Sequence, residues 1–136
     1  MIKIFLLAVF LTKFSLIPEN IDFIGLNEYE IRQKMAKSES EFIYRKTHSS
    51  GNYKYLKFSN NIESKTLVFV LKNNVCTHFM IMYDNMYYSD ILKTLNGCCH
   101  KQTENEWIEH KNNDIFKIYL KQGKWYFTLT KMKAEN

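Results

Sequence analysis

The chain has 136 residues, of which 46% are hydrophobic and 15% are aromatic, so it is neither disordered nor, with four glycines and one proline, collagen-like or linker-rich. Nineteen Lys and Arg residues against 14 Asp and Glu residues give a net charge of +5, without a run of like charge. Such a balance mainly keeps a domain soluble and is poor evidence for binding to nucleic acid or anionic lipid. We therefore expect one domain with a real hydrophobic core.

The N-terminus has the pattern of an export signal. Lys3 precedes an uninterrupted apolar run at residues 4–11 (IFLLAVFL), which is too short to span a bilayer as a helix. This predicts a signal peptide over residues 1–20, cleaved between residues 15 and 20, and a secreted or periplasmic protein with no transmembrane span in the mature chain. Loss of Lys3 and Lys13 would lower the net charge from +5 to +3. The alternative is a first buried strand, since eight residues is an ordinary strand length.

The first half of the expected domain reads as a helix followed by four strands. Asn27 can cap a helix, with Glu30 placed to reach back in a capping box, and Ile31 and Met35 would face inward before the helix ends near Lys37. Alternating runs then predict strands at residues 41–47, 53–58, 66–72 and 75–83.

The turn at residues 73–74 (Asn-Asn) sets the expected register of the last two strands, because Asn tolerates positive φ. A two-residue loop would pair Leu71 with Cys76, Phe69 with His78, and Leu67 with Met80. All six side chains would share one face of the sheet.

The second half repeats this order. An apolar stripe on Tyr88, Ile91, Leu92 and Leu95 predicts a helix over about residues 85–96, with Gly97 as its left-handed stop. Strands are predicted at residues 99–103, 106–110, 115–121 and 124–132. A turn at residues 122–123 would pair Leu120 with Trp125, Ile118 with Phe127, and Phe116 with Leu129.

Residues 67–82 and 116–131 align without a gap, so the two halves look like one design used twice. The expected fold is α+β: one domain over residues 21–136, built of two tandem α-β4 units at about residues 26–83 and 85–132. Each unit is a helix followed by a four-stranded antiparallel meander. The two sheets are expected to join or to lie side by side, with the helices packed on one sheet face. The alignment matches Cys76 with Trp125 and His78 with Phe127, which predicts core positions for both Cys76 and His78.

The opposite face of the first unit is too apolar for open water, and we expect the N-terminal segment, a helix or a partner protein to cover it. Together with Tyr87, which is expected to be exposed, its apolar residues form the candidate partner surface: Val68, Val70, Phe79, Ile81 and Tyr87.

Six aromatic residues could instead form a binding face for a peptide or sugar, although core and cross-strand packing is the more ordinary role for each. They are Tyr83, Tyr87, Tyr88, Trp107, Trp125 and Tyr126.

Cys98, Cys99 and His100 are the first place to look for a thiol or metal site, and Cys76 and His78 would add further soft ligands. Their spacing matches no zinc pattern, so buried cysteines or a single disulfide is the other interpretation. Adjacent cysteines rarely bond each other, which leaves Cys76 with either Cys98 or Cys99 as the expected pair. No spacing of His, Ser or acidic residues indicates a catalytic set, and no cofactor motif occurs.

Residues 23–31 (FIGLNEYEI) resemble the Gly-hydrophobic-polar-acidic-x-x-hydrophobic opening of small exported α+β proteins. These are the outer-membrane assembly lipoproteins of the SmpA/BamE type and proteins with the β-lactamase-inhibitor-like fold, in which helices and four-stranded sheets occur in tandem. No Cys lies before Cys76, so a lipid-attachment signal is missing. The resemblance implies an exported domain without enzymatic activity and carries over no functional residue.

The leading hypothesis is therefore an exported, non-enzymatic binding or assembly-accessory domain that has another protein as its partner and uses neither metal nor cofactor. One alternative is a thiol- or metal-dependent protein that uses Cys98, Cys99 and His100. The other is a duplicated, saddle-like nucleic-acid binder, which the export signal argues against.

Overall fold

A computed structural model of the chain describes residues 23–38 and 41–134, so the predicted signal peptide lies outside the described residues. The strands predicted from the alternating pattern are all present, with small differences at their ends. In chain order the elements are α1 (Glu28–Lys37), β1 (Ile43–Ser50), β2 (Tyr53–Ser59), β3 (Lys65–Lys72), β4 (Val75–Asp84), a 3-10 turn (Asn85–Tyr87), α2 (Tyr88–Cys98), β5 (His100–Thr103), β6 (Glu106–Lys111), β7 (Asp114–Gln122) and β8 (Tyr126–Lys133).

The eight strands form a single antiparallel sheet in the order β1-β2-β3-β4-β8-β7-β6-β5. The predicted fold class, α+β with two tandem α-β4 units and helices packed on one face, is wrong. The described part of the chain is mostly one continuous sheet, and the two helices in it are short, with 10 and 11 residues. The physical reason is that β8 pairs along β4 from His78 to Asp84, which satisfies backbone groups that two separate sheets would leave at exposed edges.

Helix α1 begins as its sequence predicts. The Glu30 amide donates to Asn27 Oδ1 at 2.8 Å, and the Asn27 amide donates to Glu30 Oε1 at 3.2 Å. This capping box satisfies two of the amides that a helix N-terminus leaves without partners. Ile31 and Met35 are both buried in the core, as expected from their spacing.

The hairpin of β3 and β4 has the predicted turn but not the predicted register. Asn73 and Asn74 adopt φ values of 51° and 62°, and Leu71 pairs with Cys76. A β-bulge at Thr77 then shifts the register by one residue. The pairs are Val70–His78, Phe69–Phe79 and Leu67–Ile81, so the predicted Phe69–His78 and Leu67–Met80 pairs are wrong.

The bulge moves the rest of β4 to the other face, because neighbouring side chains of a strand point in opposite directions. Phe79 and Ile81 therefore lie in the core. His78 is half-buried on the opposite face, so its predicted core position is wrong, whereas that of Cys76 is confirmed.

The hairpin of β7 and β8 closes through a longer loop than predicted. Residues 123–125 separate the strands, and the Gly123 amide donates to the Tyr126 carbonyl oxygen at 2.8 Å. Leu120 pairs with Leu129 rather than Trp125, so the three predicted pairs are wrong. The shift covers an even number of residues, so Phe127 and Leu129 still face the core, while Trp125 is 71% exposed in the loop.

Helix α2 continues past its predicted stop. The Cys99 amide donates to the Leu95 carbonyl oxygen at 3.0 Å, and Gly97 does not adopt positive φ, so the prediction of a left-handed stop at Gly97 is wrong. Ile91 and Leu95 are fully buried. Among residues 23–38 and 41–134, neither helix is long and apolar enough to cross a membrane.

The core is a single cluster of buried side chains, most of them from one face of the sheet, with Ile31, Met35, Ile91 and Leu95 contributed by the helices. The largest fully buried side chains, most of them from strands, are Trp107, Tyr83, Phe23, Phe69, Phe127, Ile31, Leu56, Leu67, Leu71, Ile81, Ile91 and Leu95. The indole Nε1 of Trp107 donates to Asn96 Oδ1 at 3.0 Å, so this buried donor has a partner.

Candidate functional site

The structure separates the residues of the predicted partner surface. Val68 and Val70 lie on the sheet face opposite the core, which we call the second face. Phe79 and Ile81 are 6% and 0% exposed in the core, so the expectation that they share a face with Val68 is wrong because of the bulge. Tyr87 is half-buried rather than exposed, and its ring lies 6.2 Å from that of Tyr83.

The second face is nevertheless apolar, because other side chains of the sheet lie where Phe79 and Ile81 were expected. The strand register aligns two rows of side chains across the sheet. The first row runs through Lys57, Val68, Met80, Thr130 and Tyr119, and the second through Tyr55, Val70, His78, Met132 and Lys117. Val70 is buried and the others are half-buried, so the centre of the face is apolar and lysines stand towards its sides.

A pocket of about 340 Å³ opens at one end of this face, where β3, β4 and β8 meet. The pairs Thr66–Met82 and Asp84–Tyr126 place these side chains on the second face, in continuity with Met80. The full lining is Glu63, Ser64, Thr66, Met82, Tyr83, Asp84, Trp125 and Tyr126.

Hydrogen bonds hold the loop that carries Trp125. Asn85 Nδ2 donates to the carbonyl oxygens of Gly123 and Lys124 at 3.1 and 3.2 Å. The Asn85 amide also donates to the Trp125 carbonyl oxygen at 3.3 Å. These bonds tie the loop to the end of β4, so Trp125 projects from a fixed backbone although its side chain is exposed.

The pocket combines aromatic rings with two carboxylates. Trp125 and Tyr126 are 71% and 53% exposed, and Glu63 and Asp84 supply negative charge. The Lys124 ammonium already lies 5.1 Å from the centroid of the Trp125 ring, which places that ring within cation–π distance of a positive charge. Exposed aromatic faces beside carboxylates can therefore hold a cationic group.

The six aromatic residues singled out from the sequence have different positions. Tyr83 and Trp107 are in the core, and Tyr87 and Tyr88 pack against it. Trp125 and Tyr126 meet in the pocket. Sequence reasoning missed Glu63 and Asp84, which stand far apart in the chain. The position of Asp84 directly after the strand predicted at residues 75–83 is the one signal that could have suggested it.

The cysteines pair differently from the expectation. Cys98 and Cys99 are joined as a vicinal disulfide, so the prediction that Cys76 bonds one of them is wrong. Cys76 is held in the core beside α1, where its amide donates to the Leu26 carbonyl oxygen at 2.8 Å and its thiol donates to that of His78 at 3.5 Å. His100 is exposed, with its ring 6.1 Å from that of His110.

The pKa values of His78 and Tyr83 are shifted from their ordinary values. Burial lowers the pKa of His78 below 6.5, and Thr77 Oγ1 lies 3.0 Å from its Nδ1. Burial, with a smaller contribution from the Glu41 carboxylate, raises the pKa of Tyr83 far above its usual range. Tyr83 therefore stays neutral.

No protein-family model matches the chain, and comparisons with curated proteins and with solved structures find no match either. The resemblance of residues 23–31 to the SmpA/BamE-like and β-lactamase-inhibitor-like proteins therefore stays a prediction.

Proposed function

We propose that the chain is an exported, non-enzymatic binding domain that takes a basic side chain of a partner protein into the pocket of Glu63, Asp84, Trp125 and Tyr126. The observation that carries the proposal is the joining of two carboxylates and two exposed aromatic rings in one pocket. A guanidinium or ammonium group suits this lining, because carboxylates and aromatic faces both attract cations.

The neighbouring apolar residues suit the part of the partner that flanks the basic side chain. Met82 lines the pocket, and Met80 and Val68 continue from it along the second face. Methionine side chains adapt to different shapes, which favours contact with apolar partner residues. The pocket would therefore select the charge, and the apolar rows would supply contact area.

The proposal is tested with N-acetyl-arginine amide and with its neutral isostere, N-acetyl-citrulline amide, while tryptophan fluorescence is recorded. Trp125 is 71% exposed and Trp107 is fully buried, so a ligand in the pocket changes the emission of Trp125. We expect a saturable change with the arginine compound, a much smaller one with citrulline, and no change in Trp125→Phe. An equal response to both compounds would contradict the proposal.

Charge variants test the role of the pocket. Asp84→Asn keeps the side-chain oxygen that accepts from the Met86 amide at 2.9 Å but removes the negative charge. We expect it to weaken binding of the arginine compound by about two- to fivefold, as for an exposed ion pair. Asp90→Asn, on the exposed side of α2, is the matched control and should leave the affinity unchanged.

A tripeptide with leucines on both sides of arginine tests the apolar rows. It should bind more tightly than arginine amide alone, and Met80→Ala should remove part of that gain. Binding of a DNA duplex in place of these peptides, with affinity falling steeply as salt rises, would favour the nucleic-acid alternative instead. Intact mass of the exported chain tests the predicted cleavage between residues 15 and 20.

A further inference from the structure

A second cluster of reactive side chains lies away from the pocket, where α2 passes into β5. Cys98 is the last residue of α2, Cys99 follows it, and Glu109 stands on the neighbouring strand β6. His100 pairs with Ile108, so extending this antiparallel register by one residue places Cys99 beside Glu109. The two sulfur atoms and a Glu109 carboxylate oxygen all lie within 4.8 Å of one another.

Glu109 is oriented towards the sulfur atoms by an ion pair. Its Oε1 lies 2.7 Å from Lys131 Nζ, and its Oε2 lies 3.9 Å from Cys99 Sγ. Lys131 and Glu109 are both largely buried, with side chains 16% and 23% exposed. Holding one carboxylate oxygen in this way presents the other, which is how outer contacts orient metal ligands in proteins.

The donor set suits a thiophilic divalent cation once the sulfur atoms are reduced. Zinc binds thiolate sulfur at about 2.3 Å and carboxylate oxygen at about 2.0–2.2 Å, so tetrahedral ligand atoms lie about 3.5–4 Å apart. The three ligand atoms lie within 4.8 Å of one another, and the two sulfur atoms move apart to that spacing once the bond between them is reduced. Three protein ligands would leave a fourth position for water.

His100, which the sequence offered as the partner of the two cysteines, does not belong to this cluster. Its ring is exposed beside that of His110, and neighbouring strand residues point to opposite faces. Glu109 therefore takes the place that the sequence gave to His100.

We propose that Cys98, Cys99 and Glu109 form a redox-gated binding site for a thiophilic divalent cation such as Zn²⁺ or Cd²⁺. In the disulfide form the sulfur atoms are bonded to each other and the site is closed. A dithiol reductant supplies two electrons and two protons, the S–S bond breaks, two thiols form, and the reductant becomes its own disulfide. The cation then displaces both thiol protons and binds the two thiolates and the carboxylate.

The test uses Cd²⁺ as the probe. The protein is reduced with dithiothreitol, desalted without oxygen and titrated with Cd²⁺, while calorimetry gives the stoichiometry and ultraviolet absorption detects cadmium–thiolate bonds. We expect one Cd²⁺ per reduced chain and no thiolate signal from the oxidised chain. Equal binding by the two forms, or no binding by the reduced form, would overturn the proposal.

Single substitutions locate the ligands. Cys98→Ser and Cys99→Ser should each abolish one-to-one binding, and Glu109→Gln should weaken it by about tenfold or more. His100→Ala is the control and should bind Cd²⁺ as the wild type does. Circular dichroism checks folding of each variant. Unchanged binding by Cys99→Ser would place the cation elsewhere, and unchanged binding by Glu109→Gln would remove the carboxylate from the site, so either result would contradict the proposal.

Discussion

Met80 and Ile81 are neighbours in β4, yet we expect substitutions at the two positions to have very different effects on stability. The bulge at Thr77 places Ile81 in the core, where it is 0% exposed, and leaves Met80 half-buried on the second face. Ile81→Ala should therefore lower the free energy of unfolding much more than Met80→Ala.

The size of the difference follows from burial. Ile81→Ala removes three fully buried carbon atoms, at about 0.8 kcal/mol each, which gives about 2.4 kcal/mol before any cavity is counted. The cavity raises the cost, and the usual range for this substitution is about 2–5 kcal/mol. Met80→Ala also removes three heavy atoms, but these are partly in water and leave no closed cavity, so we expect about 1 kcal/mol or less.

Urea unfolding followed by circular dichroism measures both free energies under the same conditions. A difference of about 1.4 kcal/mol or more, a tenfold change in the unfolding equilibrium constant, supports the bulged register. An equal or larger loss of stability in Met80→Ala would refute it. That result would instead fit the unbulged hairpin, in which Leu67 pairs with Met80 and Met80 faces the core.

Two further predictions concern a histidine and a glycine. Burial lowers the pKa of His78, so below its ordinary value of 6.5 the unfolded chain takes up a proton that the folded chain resists, and stability should fall as the pH drops below 6.5. Denaturant midpoints at about pH 7.5 and pH 5.5 should differ less in His78→Gln than in the wild type, and an identical difference would argue against this cause. Gly97 lies inside α2 with open space where a Cβ would stand, so Gly97→Ala should raise stability by about 0.5–1 kcal/mol, measured as an increase in Tm. Gly123→Ala is the contrasting variant, because its Cβ would lie 2.9 Å from the Tyr126 carbonyl oxygen, and a loss of stability in Gly97→Ala would indicate the left-handed stop after all.

The sequence predicts the local elements well because each depends on neighbouring residues. The capping residues Asn27 and Glu30 predict the start of α1, and the residue pair Asn73–Asn74 alone predicts the turn between β3 and β4. Long-range order is a different matter. The pairing of β4 with β8 joins residues about 50 positions apart. No local sequence pattern predicts which strand of one hairpin pairs with which strand of another hairpin.

Register is where the sequence prediction fails, and β4 shows why. Strand residues usually alternate between apolar and polar, which reveals the buried face. In β4, Phe79 and Ile81 alternate with Met80 and Met82, so both faces are apolar and a slip of one residue leaves the pattern equally plausible. The bulge decides between them, and its energy depends on contacts with β3 and β8 that the sequence does not display.

The two candidate sites could not be predicted from the sequence, because each also depends on long-range strand pairing. Glu63 lies in the loop before β3, and Asp84 is the last residue of β4. They line one pocket only because the sheet is continuous across β3, β4 and β8. The contact of Cys99 with Glu109 likewise depends on strand pairing and not on spacing in the chain. A short motif would have revealed either site only if its residues came from one segment.

Strand β4 is apolar on both of its faces, and this favours a binding surface as the interpretation of the second face. Stability alone requires only the core side, where Phe79, Ile81 and Tyr83 are buried. On the neighbouring strand β8, the residues on this face are Thr128 and Thr130, which shows that polar residues fit there. Methionines at positions 80 and 82 therefore add apolar surface that the fold does not need, and they lead directly to the pocket that ends at Asp84. Polar substitutions at these two positions should thus reduce binding of the leucine-flanked peptide before they reduce folding.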